Sequence, residues 1–147
     1  MEVTQPSLLL SEKDILLLIE SERLKTFEEW PNELNWACTP QKLASAGFYF
    51  SPSQESLDNV CCLFCQKELD GWEPDDDPLK EHKKHSAHCP FLSLKKPVEK
   101  LTIVEFVRLN MKVASLKAEK ALEKTRKEFE DQSNTTREEI IEHINAK

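Results

Sequence analysis

Four residues have types and spacing suited to metal chemistry. Cys62 and Cys65 form a C-x2-C knuckle, His82 follows after sixteen residues, and Cys89 after six more. Two thiolates three positions apart wrap one side of an ion. A His and a third Cys from a following helical turn then close a tetrahedron, with Zn–S about 2.3 Å and Zn–N about 2.0–2.1 Å. Such a set reads as a zinc site rather than as buried thiols beside a surface imidazole. The two-residue knuckle favours Cys62 over its neighbour Cys61, whereas spacing alone does not choose His82 over His85 or His88.

The chemistry expected of this zinc is structural. A catalytic zinc keeps an open coordination position. Here four protein ligands fill the sphere, and three thiolates with one imidazole leave the site at net −1, a poor Lewis acid. The chain has no HExxH or GxSxG motif, and two glycines are too few for a phosphate-cradling loop. Cys38 or Cys61 with a histidine would be a nucleophilic dyad, but nothing in the sequence orients either pair. No catalytic residue is expected, and the reading is non-enzymatic, with one structural Zn.

The elements that must position these ligands are legible from caps and breakers. Thr39 and Pro40 read as N-cap and first helical residue, with Gly47 as the stop. Thr39-Pro40 is also a minimal proline-directed phosphorylation site. Phe48–Phe50 and Val60–Phe64 read as strands, the second running into the knuckle, with a polar loop at 52–59 between them. Gly71 and Trp72 mark a turn whose aromatic is expected to cover the metal, and Asp77-Pro78 launches a helix that carries His82. Upstream, Arg23–Trp30 reads as a helix stopped before Pro31, with Phe27 and Trp30 on one core face. Ser11 and Asp14 form a capping box in an apolar stretch, which packs on its own domain or on a second copy.

From about Glu99 helix formers dominate. Val104, Val107, Met111, Ala114, Ala118 and Ala121 follow 3-4 spacing, and Leu101, Leu109, Val113, Leu116 and Leu122 are read as widening that face. Ser133–Thr136 is a weak spot from which Thr136 and Glu139 restart the helix. Some 45 helical residues reach on the order of 65 Å, whereas a zinc module of about 75 residues has a radius of about 11 Å. Most of the helix therefore needs a partner helix.

Composition bounds the rest. The chain has 147 residues, 39% hydrophobic and 32% charged, lean for a wholly globular fold. Five clustered cysteines, an odd number, indicate a reducing compartment and a metal rather than disulfides. The N-terminus, broken by Glu12, Lys13 and Asp14, reads as neither a secretory signal nor a membrane span, so the sequon at Asn134 is expected to stay bare. Residues 1–98 hold 17 acids against 10 bases, and residues 99–147 hold 10 of each, so the net −7 lies in the zinc half. That disfavours non-specific duplex binding and suits a basic peptide.

Taken together, Arg23, Thr26-Phe27, Trp30, Ala46-Gly47-Phe48, Cys62-x2-Cys65, Gly71-Trp72, His82 and Cys89 resemble the baculoviral inhibitor-of-apoptosis repeat, the BIR family, over about residues 20–92. One BIR followed by a long helix, without a RING finger, is similar to its chromosomal-passenger branch. The resemblance implies an α+β fold: a small zinc-stapled domain of a short three-stranded sheet with surrounding helices, followed by one long C-terminal α-helix. It implies His82 as the imidazole ligand. It further implies an adaptor that bundles its helix with the inner centromere protein and borealin, and localises Aurora B kinase at centromere, spindle midzone and midbody, in nucleus and cytoplasm. The groove would read a histone tail beginning with a free alanine and bearing a phosphothreonine. Asp70 and Asp76 would hold the ammonium, Lys67 and His85 would face the phosphate, and Trp72 would line the small-residue pocket. Thr39 matches the family's phosphorylation site.

The expected organisation is an apolar segment at 1–19, the zinc domain at 20–92, a linker and possible dimer contact at 93–99, and a bundling helix at 100–147. A homodimer contact would use Ile15, Val98, Leu101, Ile103 and Phe106. Ile15 and Val98 depart from the large aromatics common there, and the 54–58 loop departs as well. The alternative function is inhibition of apoptosis, by binding caspases or alanine-starting antagonist peptides. Direct DNA binding and membrane contact are not expected.

Overall fold

A computed structural model describes residues 10–31 and 36–146. Of the apolar N-terminal segment, Leu8 and Leu9 lie outside the described residues. Helix α1 (Glu12–Leu16) opens on the expected capping box, in which Ser11 and Asp14 each accept the other's backbone N–H. Leu10, Leu17 and Leu18 are buried, so this segment packs on its own domain.

Helix α2 (Glu20–Lys25) starts earlier and stops sooner than expected. The Thr26 hydroxyl donates to the Arg23 carbonyl at 2.6 Å and accepts the Phe50 N–H at 2.8 Å, tying the chain to the sheet instead of extending the helix. Phe27 and Trp30 then pack with Phe50, ring centroids 5.4–5.8 Å apart.

Helix α3 (Pro40–Ser45) has the expected ends: Thr39 Oγ1 accepts the Lys42 N–H at 3.3 Å, and Gly47 follows at φ +98°. Strands β1 (Phe48–Phe50), β2 (Val60–Cys62) and β3 (Glu68–Leu69) form an antiparallel sheet in that order, with Phe48 opposite Cys62. β2 ends at Cys62 rather than Phe64, because the next residues turn to form the knuckle. Helix α4 (Pro78–His85) is capped by Asp77, whose carboxylate accepts the Leu79 and Lys80 N–H groups.

Two 3-10 turns, Pro90–Ser93 and Val98–Lys100, lead to helix α5 (Ile103–Asn145). It begins after Glu99 because Thr102 and Glu105 form a second capping box. It runs unbroken through Ser133–Thr136: the Thr135 hydroxyl donates to the Asp131 carbonyl at 3.0 Å and so joins the helix. Its 43 residues span on the order of 65 Å.

Only the first part of α5 docks. Leu109 and Val113 are buried in the zinc-domain core, with Phe106 and Ala114 partly so. This corrects the expectation that Leu109 and Val113 widen a partner face; they point the other way. From Ala121 to Ala146 every residue is exposed. No helix among the described residues is long and apolar enough to cross a membrane.

Candidate metal centre and peptide groove

β2 delivers Cys62, the knuckle turn Cys65, α4 His82, and the residue before the first 3-10 turn Cys89. Their ligand atoms all lie within 4.8 Å of one another. Cys62 Sγ and Cys89 Sγ are 3.8 Å apart, and Cys65 Sγ lies 3.6 Å from His82 Nε2. A tetrahedron with ordinary zinc bond lengths has S–S edges of about 3.8 Å and S–N edges of about 3.6 Å. The four residues therefore fit one zinc ion.

The surrounding atoms orient the ligands. His82 Nδ1 donates to the Ala46 carbonyl at 2.6 Å, which leaves Nε2 to face the thiols. The knuckle closes through Gln66 at φ +62°, with its N–H on the Cys62 carbonyl at 2.7 Å. Hydrogen bonds from the Cys62 and Cys89 thiols hold Cys65 well down. Burial pushes Cys62 well up. For Cys89 the bond with Cys62 lowers its value, but donation to Cys65, burial and the Cys65 charge prevail, giving about 12. Ionising all three thiols together would take a cation to offset their charge, which a zinc ion at this site would supply. Burial lowers the pKa of the Arg23 guanidinium, partly offset by nearby Cys62, Glu20 and Glu99.

The alternatives left open by spacing resolve here. His85 and His88 are exposed and outside the cluster, and Cys61 Sγ donates to the Cys62 carbonyl at 3.8 Å. The aromatics packed on the ligand ring are not Trp72, which the sequence puts over the metal. Phe48 and Phe91 flank the His82 ring at 4.6 and 6.0 Å, and Trp72 packs one layer out, edge-on to Phe48 at 6.0 Å. Burial pushes Cys38 up to about 12 and also raises Cys61, so neither thiol is primed as a nucleophile.

Asp70, Trp72, Asp76 and His85 line one cavity of ≈ 240 Å³, together with Glu73 and Glu81. Lys67 lies outside that lining, in the turn after the knuckle. The Trp72 indole N–H is buried and has no partner among the described residues. His85 Nε2 sits 3.3 Å from Glu81. Asp58 was not anticipated: its carboxylate accepts the Trp72 backbone N–H at 2.8 Å and fixes the groove wall from the 51–59 loop. Sequence spacing carries no signal for a contact fourteen residues away. Ile15, Val98, Leu101 and Phe106 are partly buried against the chain's own core, and Ile103 is 83% exposed. Val107, Met111, Ala114 and Ala118 line an open apolar groove on α5 with Leu122; Ala121 is exposed outside it.

The model of the BIR family, described as "Inhibitor of Apoptosis domain", matches residues 23–93. Baculoviral IAP repeat-containing protein 5 of Mus musculus is 45% identical over 84% of this chain and 89% of its own. Baculoviral IAP repeat-containing protein 5.2 of Xenopus tropicalis is 46% identical over 78% of this chain and 74% of its own. The crystal structure of DIAP1 BIR1 bound to a Grim peptide is 42% identical, covering 52% of this chain and 72% of that one, with a TM-score of 0.45. On the matched repeat, the zinc-ligand geometry and the identity over most of its length, the chain belongs to the BIR family, within the survivin group of baculoviral IAP repeat-containing protein 5.

Proposed function

We propose that this BIR protein is a non-enzymatic adaptor of the chromosomal passenger complex. Its groove reads a histone tail bearing a phosphothreonine, and its long helix bundles with helices of the inner centromere protein and borealin. Aurora B kinase is thereby placed at centromere, midzone and midbody. The observation that carries the reading is the cavity that gathers Asp70, Asp76, Trp72 and His85. Carboxylates suit a terminal ammonium, an imidazole suits phosphate, and an indole wall limits the first side chain to a small one. The exposed strip of Val107, Met111 and Leu122 supports helix bundling. Four ligands that saturate one zinc, and two thiols pushed up by burial, support a role without catalysis.

Peptide binding tests the groove. An alanine-starting histone-tail peptide should bind, bind more tightly when its threonine is phosphorylated, and lose affinity when its N-terminus is acetylated. Equal affinity for all three would refute the assignment. A second reading, inhibition of apoptosis, is favoured by the family description itself. The same carboxylates would then hold an antagonist peptide that begins with alanine. Stoichiometric inhibition of executioner caspases by the purified protein would select that reading.

A further inference from the structure

A second cleft lies between the connector of residues 90–101 and the start of α5, with a volume of ≈ 440 Å³. Lys95 and Lys96 form one wall, and Arg108 and Lys112, one helical turn apart, form the other. Glu105 is the cleft's one carboxylate, already committed to Lys96 at 2.9 Å and to the Thr102 N–H. Among the described residues, Lys95, Arg108 and Lys112 have no carboxylate within 4.0 Å. Four cations against one carboxylate give the cleft +3 in a chain of −7, so the remainder carries −10. Its floor is apolar, built from Leu94, Leu101 and Leu109.

We propose that this cleft binds a short acidic peptide segment that carries an apolar residue. Cations on both walls attract carboxylates, and the leucine floor takes an apolar side chain that a free inorganic anion lacks. A long nucleic-acid backbone would extend past the +3 patch and meet the strongly negative remainder. Screening over about 8 Å at physiological salt confines the attraction to a short segment. The cleft shares no lining residue with the cavity at Trp72, so the two sites fail or stand independently.

The probe is an N-acetylated peptide of four glutamates around one leucine, titrated into the zinc-loaded full chain by fluorescence anisotropy. Saturable binding that weakens with added salt is expected. It should fall about tenfold or more in Arg108→Glu with Lys112→Glu, and by a smaller factor in the glutamine pair, with zinc content and helicity unchanged. Acetylation separates this site from a groove that needs a free terminal amine. Three results would overturn the proposal: a lysine counterpart binding equally, inorganic phosphate competing at equal concentration, or the double variant binding as the parent does. Light scattering adds a fourth: if the variants convert a dimer to a monomer and the peptide never binds, the cleft holds a second copy instead.

Discussion

Lys117 of the long helix and Asp14 of the first helix meet at 2.5 Å, across 103 residues of chain. With Leu109 and Val113 buried and the Lys120 ammonium on the Gln66 carbonyl, this pair pins the first third of α5 to the zinc domain. Burial would raise the Asp14 carboxyl, but Lys117 and the Ser11 hydrogen bonds prevail and hold it below its ordinary value. A carboxyl lowered by folding stabilises above its unfolded pKa and loses that contribution as pH falls through the folded one. Lys117→Met, which keeps the stem, should therefore cost about 0.5 kcal/mol at neutral pH. The gap from the parent should close as the pH falls below the ordinary carboxylate range, where Asp14 is protonated in both. Thermal melts of both proteins across pH check this.

Arg23 is 2% exposed. Its guanidinium donates to the carbonyls of Ala44 at 3.0 Å, Leu18 at 2.8 Å and Leu17 at 3.2 Å, and lies 5.7 and 5.6 Å from the Phe64 and Phe91 ring centroids. Arg23→Ala removes the packing and leaves the Leu17 and Leu18 carbonyls unmet, while Ala44 keeps the Gly47 N–H at 3.1 Å, so a loss of about 3 kcal/mol or more is expected. Arg23→Lys keeps the charge but not the fork, and should lose about 1–3 kcal/mol. Denaturant titration at constant zinc measures both.

Gly47 separates two demands on glycine. Its φ is +98°, and an added Cβ would stand 3.0 Å from Phe91 Cδ1, in the ring that flanks His82. Gly71 has φ +69° but open space. Gly47→Ala should cost clearly more than the roughly 1 kcal/mol expected of Gly71→Ala, where backbone strain acts alone. Paired melting curves give the order, and a reversed order would contradict the packing described here.

The split between what was readable and what was not follows the range of the interactions. Thr39-Pro40 and Asp77-Pro78 announced helix starts because caps act within three residues, and the four zinc ligands stood out because a closed metal site demands particular atoms. Arg23 hid its role because its acceptors are backbone carbonyls on two other segments. Apolar spacing marks two sides of α5 without saying which meets its own domain, so it puts Leu109 and Val113 on the partner face although both are buried in the chain's own core. The sequence puts Trp72 over the metal, whereas Phe48 and Phe91 are the rings that flank the ligand His82, through strand register and a close approach at Gly47.

Asp58 couples a surface loop to the groove through the Trp72 N–H, and the Ser56 hydroxyl donates to its other oxygen at 3.2 Å. Asp58→Ala should weaken peptide binding several-fold and cost about 1–3 kcal/mol of stability while leaving zinc content intact. Asp58→Asn, which keeps an acceptor, should recover part of both. Calorimetric titration with a groove peptide, alongside metal analysis, separates this from general unfolding.

Zinc stoichiometry against folding is the most direct measurement. Elemental analysis of the purified chain should find one zinc per molecule. Chelation, or Cys65→Ser, should remove it and melt the sheet and α4, while exchange protection at Leu109 and Val113 is lost. A metal-free chain that keeps its native exchange protection would contradict the account.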